Sequence, residues 1–124
     1  MEKHKKYFKE AAAVAKHSRC KRAQCGAVVV ADQHIIGSGY NAPPLDDQKS
    51  AMCDYKYDQN QQKPKSDRTC CVHAEWRAII DAVKCGKNLK GSILYFSRIS
   101  NGKLLFSGQP YCTVCSRLAL DAGI

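Results

Sequence analysis

Apolar residues recur at helical spacing at the two ends of this chain and in its middle, and at strand spacing between them. In residues 2–18, Phe8, Ala11, Ala12 and Ala15 fall on one face, which predicts an amphipathic helix with a solvated, lysine-rich back. GAVVVA, residues 26–31, is a short β-branched run suited to a buried strand. Asp32 and Gln33 then read as a turn, and HIIGSGYN, residues 34–41, as the hairpin partner, with His34 at the strand edge. AEWRAIIDAV predicts a second helix over about 73–85, with Ala78, Ile79, Ala82 and Val83 on one side and its end near Gly86. Ser92–Ser97 is the next strand, and Asn101-Gly102 carries a type I′ hairpin signal. Residues 113–122 make the last helix, capped by Gly123.

Two stretches break this pattern. Residues 42–70 are polar and irregular and hold three of the four prolines. A loop of that length inside a compact domain is functional or mobile as a rule. The order helix, two strands, loop, helix, strand, helix predicts a layered α/β domain. Its length fits one domain over 1–124, large enough for a real core. No internal repeat is present.

The chemistry concentrates where the second and third helices begin. Cys71-Val72-His73-Ala74-Glu75 puts a histidine and a carboxylate at one helix start. Mid-helix, two residues apart is about 200° of rotation, and the side chains would diverge. At the N-terminal end both can reach a site lying beyond the helix. Cys112 and Cys115 are three apart and share one face of a turn. One imidazole and two thiolates hold Zn²⁺ with a fourth position open for water, the layout of a catalytic site. Both pairs present helix N-termini, whose positive dipole ends favour thiolate and hydroxide. Glu75 is then the proton shuttle and not a ligand. Alone, Cys-x-x-Cys is equally a redox pair or half of a structural zinc site. The combination favours the catalytic reading, and it matches the known signature of the zinc deaminases.

Composition narrows the class. The chain is 44% hydrophobic and 25% charged, ordinary for a globular protein. No apolar run approaches ~20 residues, so no membrane span is expected. The basic N-terminus lacks the apolar core of a signal peptide. Eight cysteines without that signal point to metal ligation and buried thiols rather than disulfides, and to a cytoplasmic location. The net charge of +9 suits a phosphorylated small substrate, nucleic acid, or only a solvated surface. Lysines 3, 5, 6, 9, 63, 65, 84, 87, 90 and 103 are scattered, with no basic run interleaved with aromatics. A nucleotide is therefore expected ahead of nucleic acid.

With these residues placed, the chain resembles the zinc-dependent cytidine/deoxycytidylate deaminase superfamily, closest to its dCMP deaminase branch. Residues 20–30, CKRAQCGAVVV, are similar to the family's first strand entry, and Gly39-Tyr40-Asn41-Ala42-Pro43-Pro44 to its GYN-x-x-P loop. Cys71–Glu75 and Cys112–Cys115 resemble its two metal motifs, and residues 118–124 its helix ending in a small-Gly-Ile step. The resemblance implies a three-layer α/β/α cytidine deaminase-like fold with a mixed central sheet. It implies hydrolytic deamination, with zinc hydroxide attacking C4 of a cytosine ring in a dCMP-like nucleotide. His73, Cys112 and Cys115 are then the zinc ligands, and Glu75 moves the protons. Ala74 contacts the base through its backbone N–H, and Asn41 contacts base or sugar. Asn41 read alone is a turn residue that tolerates the left-handed conformation. A homo-oligomer is also expected.

Three departures bear on this reading. The family's H-A-E-x-N-A-I has Arg77 at its fifth position here, free to meet a phosphate, pair with an acid, or face solvent. Tyr111 intervenes between Pro110 and Cys112. The chain stops at Ile124, where the family continues into further parallel strands, so truncation after the third core helix is expected. The open edge of the Ser92–Ser97 strand then needs a cover. A hairpin arm at 103–107, another chain, or a strand of a longer protein would supply it, and the last is favoured.

Some dCMP deaminases hold a second zinc, and Cys20 and Cys53 resemble two of its ligands, with Cys70 or Cys71 as a third. Buried small hydrophobes are the equal alternative for these cysteines. Cys25 and Cys85 read as packing residues. Two other functions stay open: a deaminase of another base, nucleoside or single-stranded nucleic acid, and a zinc-stabilised non-catalytic binding module.

Overall fold

The computed structural model describes residues 2–20, 23–51, 71–105 and 113–124. The elements run α1 (Glu2–Ala15), β1 (Gln24–Ala31), β2 (His34–Tyr40), α2 (Ala74–Lys84), β3 (Ile93–Ser100), β4 (Lys103–Leu105) and α3 (Thr113–Asp121). The strands form one sheet in the order β2-β1-β3-β4. Every pairing among the described strands is antiparallel. A mixed sheet needs a parallel neighbour, which the sequence reading placed after Ile124.

Both hairpins turn as their residues dictate. Asp32 and Gln33 have φ of 50° and 65°, and Asn101 and Gly102 have 53° and 78°. Positive φ at both central positions is what a type I′ turn requires. The second hairpin lays β4 against the far end of β3, pairing Arg98 with Leu105 and Ser100 with Lys103. Of the three covers expected for β3, the hairpin arm is therefore present, and among the described residues it pairs with Arg98–Ser100. Along Ile93–Ser97 the outer edge has no partner strand among the described residues.

β1 is central and covered on both faces, so its apolar run is continuous rather than alternating. Val28 and Val30 face α1, packing with Tyr7, Ala11 and Tyr95. Ala27 and Val29 face α2, packing with Ala74, Ala78, Ile79 and Ala82, while Ala119 joins from α3. Helices on both faces make the three-layer α/β/α sandwich that the family resemblance implied.

Glycine sets how closely these layers approach. A Cβ on Gly26 would come within 2.1 Å of the Ala11 carbonyl oxygen and 2.5 Å of the Ala15 nitrogen. A Cβ on Gly39 would lie 2.5 Å from the Ala78 nitrogen. Backbone thus packs on backbone on both sides of the sheet.

This close approach corrects two expected helix faces. On α1 the buried stripe is Tyr7, Ala11 and Ala15, while Phe8 is a rim residue, 40% exposed, edge-on to Tyr95. Seating Ala11 and Ala15 on Gly26 turns Tyr7 inward over Val28. On α2 the buried set is Ala74, Ala78, Ile79 and Ala82, and Val83 is exposed. α1 also ends at Ala15, three residues before the expected boundary.

The C-termini of α2 and α3 close alike. Gly86 has φ of 71°, and the Lys87 N–H donates to the Ala82 carbonyl. Gly123 has φ of 96°, and the Ile124 N–H donates to the Ala119 carbonyl. Both are Schellman closures with glycine in the left-handed position. Cys85 is the exposed C-cap of α2, so it is not the packing residue that the sequence suggested.

No helix among the described residues is long and apolar enough to cross a membrane.

Candidate metal centre and active site

The site is built at the N-terminal end of α2. Ala42 and Val72 form a two-way backbone bridge, which ties the chain entering α2 to the end of β2. His73 follows as the N-cap, extended at φ −64° and ψ 149°, with its side chain making no cap bond. Its carbonyl accepts the first helical bond, from the Arg77 N–H at 3.0 Å. The imidazole is thereby left outside the helix and turned towards α3.

There His73 Nδ1 meets Cys115 Sγ at 3.0 Å. Donor atoms of His73, Glu75 and Cys115 all lie within 4.8 Å of one another, with Cys115 buried. Nitrogen and sulfur ligands on one tetrahedral zinc stand about 3.5 Å apart by the usual bond lengths. The residues present therefore fit such an ion after a small outward movement. Cys112 lies outside the described residues. Glu75 lies in the first turn of α2, with a carboxylate oxygen within 4.8 Å of both donors. Ala74 is the first helical residue and is buried. Its N–H has no acceptor within the helix.

Asn41 is held by the fold. Its Oδ1 accepts from the Cys25 N–H at 2.9 Å and its Nδ2 donates to the Ala23 carbonyl at 2.8 Å. Its carbonyl accepts from the Ser18 hydroxyl at 2.7 Å. The side chain staples the end of β2 to the entry of β1, keeping one donor and one acceptor in reserve.

Arg77 is committed to Tyr40. Its Nη1 donates to the Tyr40 carbonyl at 3.1 Å, and its guanidinium lies 4.7 Å from the Tyr40 ring centroid. The Tyr40 phenol donates to Asp46 at 2.6 Å, and that bond is the main reason its pKa is pushed up. A groove of about 520 Å³ runs past Tyr40, Arg77, Asp81 and Lys84. None of His73, Glu75 and Cys115 lines it, so its size does not make it the reaction site.

Cys20 and Cys71 line one small cavity with Arg19, Pro43, Gln48 and Ala51. Its volume of about 10 Å³ is room for roughly one water. Cys53 and Cys70 lie outside the described residues. Cys25 packs beneath the site. Burial pushes its thiol up to about 11, the nearby Glu75 adding to the effect and Arg98 opposing it.

One neighbour was missed by the sequence reading. Trp76 stacks on His73, centroids 4.7 Å apart and planes 13° from parallel. The three-residue spacing from His73 was the available signal, since it places the two rings on one side of the first turn.

Comparison with known proteins identifies the family. The model of the cytidine and deoxycytidylate deaminase zinc-binding region matches residues 1–124. A deoxycytidylate deaminase from Mycobacterium phage D29 is 30% identical over 119 residues, covering 92% of this chain and 83% of that protein. One from Schizosaccharomyces pombe is 26% identical over 121 residues, and this chain spans 34% of its length. The dCMP deaminase of cyanophage S-TIM5, crystallised with dCMP and dUMP, superposes with a TM-score of 0.71 at 24% identity, over 99% of this chain and 76% of that one. At that identity the likeness speaks for the fold. The chain belongs to the cytidine and deoxycytidylate deaminase family and is an enzyme of the deaminase class of hydrolases.

Proposed function

We propose that this protein hydrolyses the exocyclic amine of a cytosine nucleotide, with dCMP as the substrate. The observation that carries the reading is the meeting of His73 Nδ1 and Cys115 Sγ at 3.0 Å, with the Glu75 carboxylate beside them. His73, Cys115 and Cys112 hold the zinc. When bound, zinc supplies an activated water at neutral pH. The Ala74 N–H, unclaimed at the start of α2, donates to the base carbonyl and fixes the ring. Glu75 takes a proton from the attacking water and gives it to ring N3. It then moves a proton to the amino group, so that water and cytosine become uracil and ammonia. The dCMP assignment rests on the two deoxycytidylate deaminase relatives. The remaining donor and acceptor of Asn41 serve the base or sugar.

We extend the reading to a second zinc held by Cys20 and Cys53, with Cys70 or Cys71 as the third ligand; in its support, Cys20 and Cys71 line one small cavity. Cys71→Ser is then expected to lower the zinc content by one per chain.

The test of function is ammonia release from a panel of free bases, nucleosides, nucleotides and cytosine-containing oligonucleotides. Turnover restricted to dCMP supports the proposal. Turnover of another member moves the substrate, and a zinc-loaded protein inert on all of them is a binding module.

A further inference from the structure

We infer that Trp76 is a positioning residue for the metal ligand His73, holding the imidazole plane by its stack. The inference rests on the proposal that His73 binds zinc. A metal-ligating imidazole is ordinarily oriented by a hydrogen bond from its second nitrogen to a carboxylate, a carbonyl or water. Here Nδ1 faces Cys115, and Nε2 has no hydrogen-bond partner among the described residues. The N-cap backbone does not fix the ring either, because the side chain makes no cap bond. The indole restrains the ring plane, nearly parallel at 13° and 4.7 Å away. Rotation of the imidazole about its Cβ–Cγ bond would drive it edge-first into that face. The stack therefore keeps Nδ1 turned to Cys115.

Trp76 itself is placed without help from its polar atom. Its Nε1 is buried and has no hydrogen-bond partner among the described residues. An unpaired buried N–H is costly, and such a cost is tolerated where the ring's position matters more than its hydrogen bond. The indole sits in the first turn of α2, two residues before Ala78, which is buried in the core.

The test measures zinc affinity by competition with a chromophoric chelator, on the site that is lost in His73→Ala. Trp76→Leu, which keeps apolar bulk but no ring, is expected to bind zinc roughly 10–100-fold more weakly, the usual effect of removing such support. Trp76→Phe, which keeps a stacking ring, is expected to stay within about threefold of the parent. The chain has a single tryptophan, so indole emission reports on this ring alone. Zinc binding should change it in the parent, and His73→Ala should abolish that change.

Equal affinity in Trp76→Leu and the parent overturns the inference. So does Trp76→Phe binding as weakly as Trp76→Leu, which would make the indole a space-filler. A parent that takes up no zinc at this site overturns the functional reading along with it. A zinc-binding parent with indifferent Trp76 variants overturns this inference alone.

Discussion

His73 Nδ1 and Cys115 Sγ stand 3.0 Å apart across 42 residues of chain. The contact joins the N-terminus of α2 to the first turn of α3, whose Ala119 packs in the same core as Ala74, Ala78, Ile79 and Ala82 of α2. If this is a zinc site, removing either donor leaves an incomplete ligand set. His73→Ala and Cys115→Ala should each purify without the catalytic zinc that the parent holds, as measured by elemental analysis. Full zinc in either variant would contradict the ligand assignment.

At Gly26 the backbone of α1 lies directly on the sheet. An alanine there must displace backbone atoms of Ala11 and Ala15, not a pliable side-chain end. Overpacking of this kind costs about 1–3 kcal/mol. Gly26→Ala should lower stability by that amount in urea melts. An unchanged midpoint would mean that the helix is not seated as described.

The features legible in the sequence were local ones. The two hairpins could be read because Asp32-Gln33 and Asn101-Gly102 accept positive φ. The ends of α2 and α3 could be read because Gly86 and Gly123 close them. The donor motif was visible because His73 and Glu75 share one helix start. Features set by distant partners were not legible. Gly26 reads as a strand residue until α1 is laid on it, and that placement decides Tyr7 over Phe8. The partners of Asn41 are Ala23 and Cys25, 18 and 16 residues away, so a turn motif gave no sign of the staple.

That staple is testable. Asn41→Ala leaves the Cys25 N–H and the Ala23 carbonyl without their partner. A fully buried group left unsatisfied costs about 1–3 kcal/mol, and these two are half-buried. The variant should lose stability by a few kcal/mol, on the same scale, in denaturant melts. A variant as stable as the parent would leave Asn41 free for substrate alone.

Cys25 and Cys85 should differ in reactivity. The Cys25 thiol is pushed up from 9.0 to about 11 by burial first and by Glu75 second. At pH 8 it is about a hundredfold poorer in thiolate than an ordinary cysteine. Cys85 is exposed at the end of α2. Iodoacetamide at pH 8, read by peptide mass spectrometry, should label Cys85 first and spare Cys25. The sign for stability follows from the raised value. The folded state binds the thiol proton more tightly, so this contribution is complete below pH 9 and is lost as pH rises through about 11. Cys25→Ala should flatten that part of the alkaline stability profile.

The proton-transfer role of Glu75 is the centre of the account. It is tested most directly by following conversion of dCMP to dUMP, with zinc content measured in the same samples of parent and Glu75→Gln. The account predicts a zinc-loaded parent that turns over, and a variant that keeps its zinc but loses at least about 10²–10⁴-fold in rate. A zinc-loaded variant with turnover near the parent's, or a zinc-loaded parent that leaves dCMP unchanged, would contradict it.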